Sequence, residues 1–307
     1  MFKKISIIIL AYNDSNTIKK CIKSVISQVN ISKYQIEIIF VPNGCTDNTA
    51  DIGKETLAES KVSNITHETC VLENGHRNKA LNFGINKSTG GYILYLNGDC
   101  YLASDSVSLV VKELSKGALL VGCKDICLPD NIQTNSLLHK YVLAYGESQR
   151  YSRFHLPNGR CIGFHKGFIE SFPEDIHSED NWIGFHTYKK HGYEKIKKAG
   201  EVYYQLPSNW SEIVSQFTRY VLGTKQVINK FPELKDAFIN VTTKEYSQTE
   251  KENGIIDTQK KLESLGYTKD TIQQLLGVHK FIKTITDDNA SLQQNPINND
   301  GTWITDR

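Results

Sequence analysis

Apolar positions switch between strand-like and helical spacing through the first half of the chain, and each switch predicts a new element. Ile5-Ser6-Ile7-Ile8-Ile9-Leu10 is a β-branched run apolar on both sides, the pattern of a strand covered on both faces. Asn13, Asp14 and Ser15 supply turn and N-cap chemistry, and from Thr17 the positions Ile18, Cys21, Ile22, Val25, Ile26 and Val29 fall on one face of a helix. A second strand is predicted from Ile36 to Val41. It is closed by the turn Pro42-Asn43-Gly44 and followed by a helix from Thr49. A third strand is placed at Ile65 to Thr69 and a helix at Arg77 to Lys87, with Ala80, Leu81 and Ile85 turned inward. Gly90-Gly91 stops that helix, and the strand Tyr92 to Leu96 ends abruptly in Asn97-Gly98-Asp99.

After Ser104 the pattern predicts a helix, a strand from Leu119 to Cys123 and a helix from Asn135 to Gln149. Residues 151–205, rich in Gly, His and aromatics, read as an irregular, loop-built segment. From Pro207 the spacing turns helical, with Ile213, Phe217, Tyr220 and Val221 as a stripe. Past Val241 the chain is polar, with one compact helical stretch from Leu262 to Ile282 and a tail expected to be disordered. Alternating strands and helices define an α/β layer fold. The expected organisation is one domain over 1–225, a helical extension over 226–286 and the tail over 287–307.

Composition narrows the classes. A net charge of +2 argues against a nucleic-acid-coating protein, which needs clustered phosphate-neutralising charge. The seven cysteines are an odd, scattered set, and Cys123 and Cys127 lack zinc-site spacing, so a reducing, cytoplasmic compartment is expected. No apolar run approaches the roughly 20 residues that cross a bilayer, and Ile5 to Leu10 is too short for a signal-peptide core. The expectation is a chain neither secreted nor anchored by its own helix, with peripheral contact at the inner membrane face left open.

Several residues stand where ligands of an open α/β sheet bind, past the carboxyl ends of strands. Asp99 and Asn97 offer hard oxygens to a divalent cation, although Asn-Gly-Asp is equally an ordinary tight turn. Glu179-Asp180 offers a proton-accepting carboxylate, although adjacent acids commonly open a solvated helix and Trp182 beside them suits a core. Tyr12 presents a face to a base, Asn43 can donate and accept at a base edge, and Arg77 can meet a phosphate bidentately. Each reading alone is matched by plain loop chemistry.

Their order and spacing resemble family 2 glycosyltransferases. Ile7 to Asn13, with Thr17 to Ile22 and Ser24-Val25, is similar to the family's opening, and Phe40 to Thr49 to its second nucleotide-binding segment. Arg77 to Gly84 resembles the third segment, and Gly91 to Asp99 the strand that carries an Asp-x-Asp metal motif. Phe172-Pro173-Glu174, Glu179-Asp180 and Gly192-Tyr193 match the stretch around the catalytic base, and Gln216 to Tyr220 a Gln-x-x-Arg-Trp motif. The resemblance runs from about residue 5 to 225. It implies a GT-A fold, a Rossmann-like mixed sheet flanked by helices with a C-terminal helical extension. It also implies inverting transfer of a hexosyl or N-acetylhexosaminyl group from a nucleotide-diphosphate sugar, a UDP-sugar first, to a hydroxyl of a glycan, lipid-linked or peptide acceptor.

By position, Asp180 is the implied base and Asp99 the implied protein ligand of Mn²⁺ or Mg²⁺. Ala11, Tyr12, Asn13, Asn43, Arg77, Asn97 and Gly98 line the implied nucleotide-sugar site. Glu179, Trp182, Gln216, Arg219 and Tyr220 close over the diphosphate or acceptor. The sequence departs from the family where Asn97 replaces the first Asp of the metal motif, Pro42-Asn43 an Asp-Asp pair, and Tyr220 a Trp. A homodimer is compatible with the helical extension. Competing readings are a nucleotidyltransferase-like enzyme, which lacks its Gly-x-Gly-Thr-Arg loop here, and a scaffold that binds nucleotide-sugar without catalysis, which Asn97 motivates.

Overall fold

The structure is a computed structural model. It describes residues 3–128, 130, 132–134, 136–151, 156–243, 260, 263, 267–275, 277, 278 and 280. The expected tail at 287–307 lies outside the described residues, as does part of the 262–282 stretch, of which 269–275 is helical.

The elements run β1 (Lys3–Ala11), α1 (Ile18–Ile26), β2 (Tyr34–Pro42), α2 (Thr49–Ala58), β3 (Ile65–Thr69), α3 (Arg77–Lys87), β4 (Tyr92–Asn97) and β5 (Tyr101–Leu102). They continue with α4 (Ser106–Ser115), β6 (Leu120–Leu128), α5 (Leu137–Tyr151), β7 (Cys161–His165), α6 (Glu179–His191), β8 (Ile196–Gln205), α7 (Trp210–Lys230) and α8 (Lys235–Thr243). The strands form one mixed sheet in the order β3-β2-β1-β4-β7-β6-β8-β5. β1, β2, β3 and β4 are parallel, whereas β7 runs antiparallel to both β4 and β6. The order reverses at the β1–β4 junction, and their carboxyl ends open the crevice where ligands of such sheets bind.

The core follows from the pattern. In β1, Ile5, Ile7, Ile8 and Ile9 are at most 1% exposed, because helices cover both faces of the sheet. The α3 helix lies against Ile8 through Gly84, and α2 lies against Phe40 through Gly53. Phe40 is registered to Ile9, the neighbour of Ile8 that points the other way, so α2 and α3 take opposite faces.

The chain divides into two compact units. One takes Met1–Lys124 and His155–Tyr204, and the other Asp125–Phe154 with the stretch from Gln205 that holds α7 and α8. In the second unit Tyr141, Tyr145, Trp210 and Phe217 form a chain of ring contacts at centroid distances of 5.3–6.2 Å.

Some expectations are corrected. Residues 151–205 are not irregular: they hold β7, α6 and β8. Glycines hide them, since Gly163 in β7 admits Val110 and Gly184 in α6 admits Leu156, so residues that read as breakers serve close packing. Val29 lies beyond α1 and is 46% exposed, and Tyr220 is 53% exposed rather than part of the α7 core stripe. On α7, Leu222 and Val227 continue the buried stripe from Ile213 instead. The strand expected to stop at Cys123 runs on to Leu128.

Candidate active site

The sheet's carboxyl end gathers the β1, β2 and β4 termini by backbone bonds. Gly98 N donates to Leu10 O at 2.7 Å and Asn43 N to Ala11 O at 2.9 Å. A Cβ on Gly98 would stand 2.7 Å from Asp14 Oδ2 and 2.9 Å from the Ala11 Cβ, so only glycine lets the two strand ends approach this closely. Asn13 takes a left-handed φ of 53°, which asparagine tolerates, and its Oδ1 accepts from Thr46 N at 2.8 Å. The Asp47 carboxyl supports the same loop. Desolvation opposes its ionisation, but hydrogen bonds from Thr49 and Ser15 bring it down to about 2.

Tyr12 is 40% exposed beside Gly75, whose added Cβ would touch its ring at 3.5 Å. Asn43 is buried, and its Oδ1 accepts from His76 N at 3.0 Å, so the amide orientation follows from the backbone donor it meets. An open aromatic face beside a glycine and a fixed amide suits a flat heterocycle.

Asn97 ends β4 with its Oδ1 buried and without a partner among the described residues. Asp99 follows on the turn, exposed, with Oδ1 accepting from the Cys100 thiol at 3.2 Å. The buried Cys21 thiol is pushed up by burial first and then by Asp99 and Asp14, which places both carboxylates on its side of the sheet. These are hard oxygens of the kind Mg²⁺ and Mn²⁺ prefer. Among the described residues, no group of three or more His, Cys, Asp or Glu is placed to hold a metal. The donor set therefore fits an ion shared with a ligand that brings its own oxygens, such as a diphosphate, and not a closed protein site.

Asp180 stands in the first turn of α6. Its Oδ1 accepts from Asn181 N at 2.8 Å and its Oδ2 from Gly159 N at 2.9 Å. Burial raises this carboxyl to about 6 and Glu179 adds to the rise, while the Gly159 and Asn181 donors and Arg77 restrain it. A carboxylate that releases its proton near neutrality is suited to take one from a hydroxyl. The next residue, Arg160, accepts from Asn97 N at 3.0 Å, so one short turn before β7 is bonded both to the Asn97 end of β4 and to Asp180.

Arg77 begins α3. Its Nε and Nη2 both donate to Glu179 Oε1, at 2.8 and 2.6 Å, and Nη2 also donates to Gly159 O at 2.9 Å. Glu179 thus differs from its expected place at the closing edge. Its side chain is 3% exposed and committed to Arg77, behind Asp180. Trp182 is half-buried between Phe172 and His186 at centroid distances of 5.7 and 5.2 Å. Gln216, Arg219 and Tyr220 share one face of α7, as their spacing requires, with Gln216 Oε1 buried and Tyr220 exposed.

Sequence reading missed Gly159 and Tyr95. Asn158-Gly159 before a short apolar run was a usable turn signal. Nothing in the sequence marks Tyr95, whose hydroxyl is buried without a partner among the described residues.

Fold and site together define an α/β protein of the GT-A type, with a switch-point crevice lined by an aromatic face, hard oxygens and a buried carboxylate. The profile described as Glycosyl transferase family 2 matches residues 6–174, more than half of the 307 residues, and the chain belongs to that family. It is 31% identical over 113 residues to "Glycosyltransferase GlyA" of Streptococcus pneumoniae serotype 4, a match covering 36% of this chain and only 15% of that protein. It is 28% identical over 257 residues to "Uncharacterized glycosyltransferase EpsJ" of Bacillus subtilis, covering 78% of this chain and 71% of that protein. The fold is shared with a mannosyltransferase, PcManGT from Pyrobaculum calidifontis, solved with GDP-Man and Mn²⁺. The TM-score is 0.63 at 15% identity over 96% of this chain and 89% of that one. Among the described residues, no helix is long and apolar enough to cross a membrane.

Proposed function

We propose that this chain transfers a sugar from a nucleotide-diphosphate sugar to an acceptor hydroxyl with inversion, using Asp180 as general base. In one displacement the acceptor oxygen bonds to the anomeric carbon as the bond from that carbon to the diphosphate oxygen breaks. The hydroxyl proton passes to Asp180, and the nucleoside diphosphate leaves with the bonding electron pair. What supports this reading most is the turn at 158–160, bonded to Asp180 on one side and to the end of β4 on the other. Ala11, Tyr12, Asn13 and Asn43 bind the nucleotide, and Asn97 and Gly98 lie along the ribose and diphosphate. Asp99 would hold Mn²⁺ or Mg²⁺ jointly with the diphosphate, and the bound ion would neutralise charge developing on the leaving group. The donor class is a hexosyl or N-acetylhexosaminyl nucleotide, UDP-linked first, and the acceptor a sugar hydroxyl of a glycan or lipid-linked glycan.

A donor panel tests the reading: nucleotide release from UDP-, GDP- and dTDP-sugars with and without Mn²⁺. The Asp180→Asn variant should lose transfer by about 10²–10⁴-fold while its nucleotide affinity persists. Asp99→Ala should lose Mn²⁺-dependent donor binding itself. Tight binding of donors with no turnover on any of them would replace the enzyme by a nucleotide-sugar-binding protein.

A further inference from the structure

The displacement above uses Asp180 alone, yet an ion pair adjoins it, with Glu179 buried and the Arg77 side chain 33% exposed. The groups facing Asp180 are Glu179 on its own helix, Arg77 from α3 and the Tyr95 hydroxyl from β4. Two carboxylates in sequence at a buried helix start repel each other, and the second ionises freely only where something cancels the first. Arg77 meets that need with two bonds to one Glu179 oxygen. Its Nη2 also holds the Gly159 carbonyl, and the N–H of Gly159 is the donor that fixes Asp180 Oδ2. The packing leaves no slack: a Cβ on Gly159 would lie 2.8 Å from Glu179 Oε1 and 3.4 Å from Arg77 Nη2.

We propose that Arg77 and Glu179 are a positioning pair for the base: Arg77 anchors the Gly159 turn that aims Asp180 and cancels the buried Glu179 charge beside it. The inference rests on the reading of Asp180 as base for its consequence in catalysis, but not for its electrostatics. It also gives Arg77 a role distinct from a phosphate contact. Its Nε and Nη2 are engaged by Glu179 and Gly159, so these donors serve the base and not a phosphate.

The test follows Asp180 directly, by carboxyl-carbon NMR titration of the full chain, and in parallel the pH dependence of transfer. In the wild type the carboxyl should titrate at about 6. The base works deprotonated, so the rate should rise with pH through that value and then level. Arg77→Met should move the titration up by roughly one pH unit or more, because Glu179 then repels an ionised Asp180 unopposed. The rate at pH 6 should fall about fivefold or more with donor KM changed less than about threefold. Glu179→Gln should move the titration down. The double variant, which restores neutrality, should bring it back to within about half a unit of wild type.

An unmoved Asp180 in Arg77→Met, a rise confined to donor KM, or a double variant that keeps the single variant's shift would each overturn the pairing. Nucleoside diphosphate binding, followed in every variant, separates these outcomes from misfolding, and the double variant removes the buried unpaired charge that misfolding would come from. If Asp180 titrates as expected while the rate limb does not follow it, the pair stands and the general-base reading falls.

Discussion

At the scale of single residues, the Asp180 carboxylate is held by a turn and an ion pair beside it. Gly159 carries no side chain, yet its N–H and C=O join Asp180 to Arg77. Replacing it by alanine puts a carbon 2.8 Å from Glu179 Oε1, and either the turn or the carboxylate that Arg77 holds must shift to relieve the contact. A displaced base costs rate steeply, since reacting groups off by about 1 Å lose on the order of 10²-fold. Gly159→Ala should therefore lower kcat about 10–100-fold while nucleotide affinity, which the proposed function assigns to Tyr12 and Asn43, stays within about twofold. Equal losses in kcat and in nucleotide binding would mean that the turn supports the whole crevice and not the base.

At the scale of elements, what matters is how closely helices approach the sheet. Arg77 opens α3, and α3 sits where it does because Gly84, two turns on, lets the helix backbone close on Ile8. A Cβ there would lie 2.5 Å from Ile8 Cγ2, a contact real side chains avoid. Alanine improves helix propensity by about 1 kcal/mol, whereas overpacking a rigid core costs roughly 1–3 kcal/mol, so the packing term wins. Gly84→Ala should lower stability by on the order of 1 kcal/mol, read as a lower urea midpoint at unchanged slope. A midpoint equal to wild type would show that α3 lifts freely from β1. The same physics explains what was readable at this scale. β3 and α3 fall where the periodicity puts them, α3 in spite of Gly84 because Ala80, Leu81 and Ile85 keep its apolar face. β7 and α6 do not, because Gly163 and Gly184 read as breakers until their packing partners are known.

At the scale of the whole molecule, the sheet is tied at both ends. Opposite the crevice, Glu37 on β2 accepts from Lys4 Nζ at 2.7 Å, Ser6 Oγ at 2.5 Å, and Thr89 N and Oγ1 both at 2.8 Å, which binds β1 and β2 to the chain entering β4. Burial opposes the charge, but these donors hold the carboxyl at about 2, below its ordinary 4.5. A carboxyl whose pKa is lower in the folded state stabilises the fold above 4.5, and the contribution fades as pH falls toward 2. Glu37→Gln should cost about 1–2 kcal/mol at pH 7, with partial exposure taken into account, and the gap to wild type should narrow as the medium is acidified below pH 4.5. A gap that stays constant down to pH 3 would trace the loss to packing and not to charge. By itself the sequence determined the α/β alternation, the placement of β1 to β4 and the family, because these depend on local periodicity and on ordered short segments that survive without coordinates. Only the tertiary structure decided that Arg77 and Glu179, 102 positions apart in sequence, meet behind Asp180, and that Gly159 and Tyr95 belong to the site. A hydrogen bond across such a separation leaves no periodic trace in the chain, and a buried charge takes its meaning from the partner that folding places beside it.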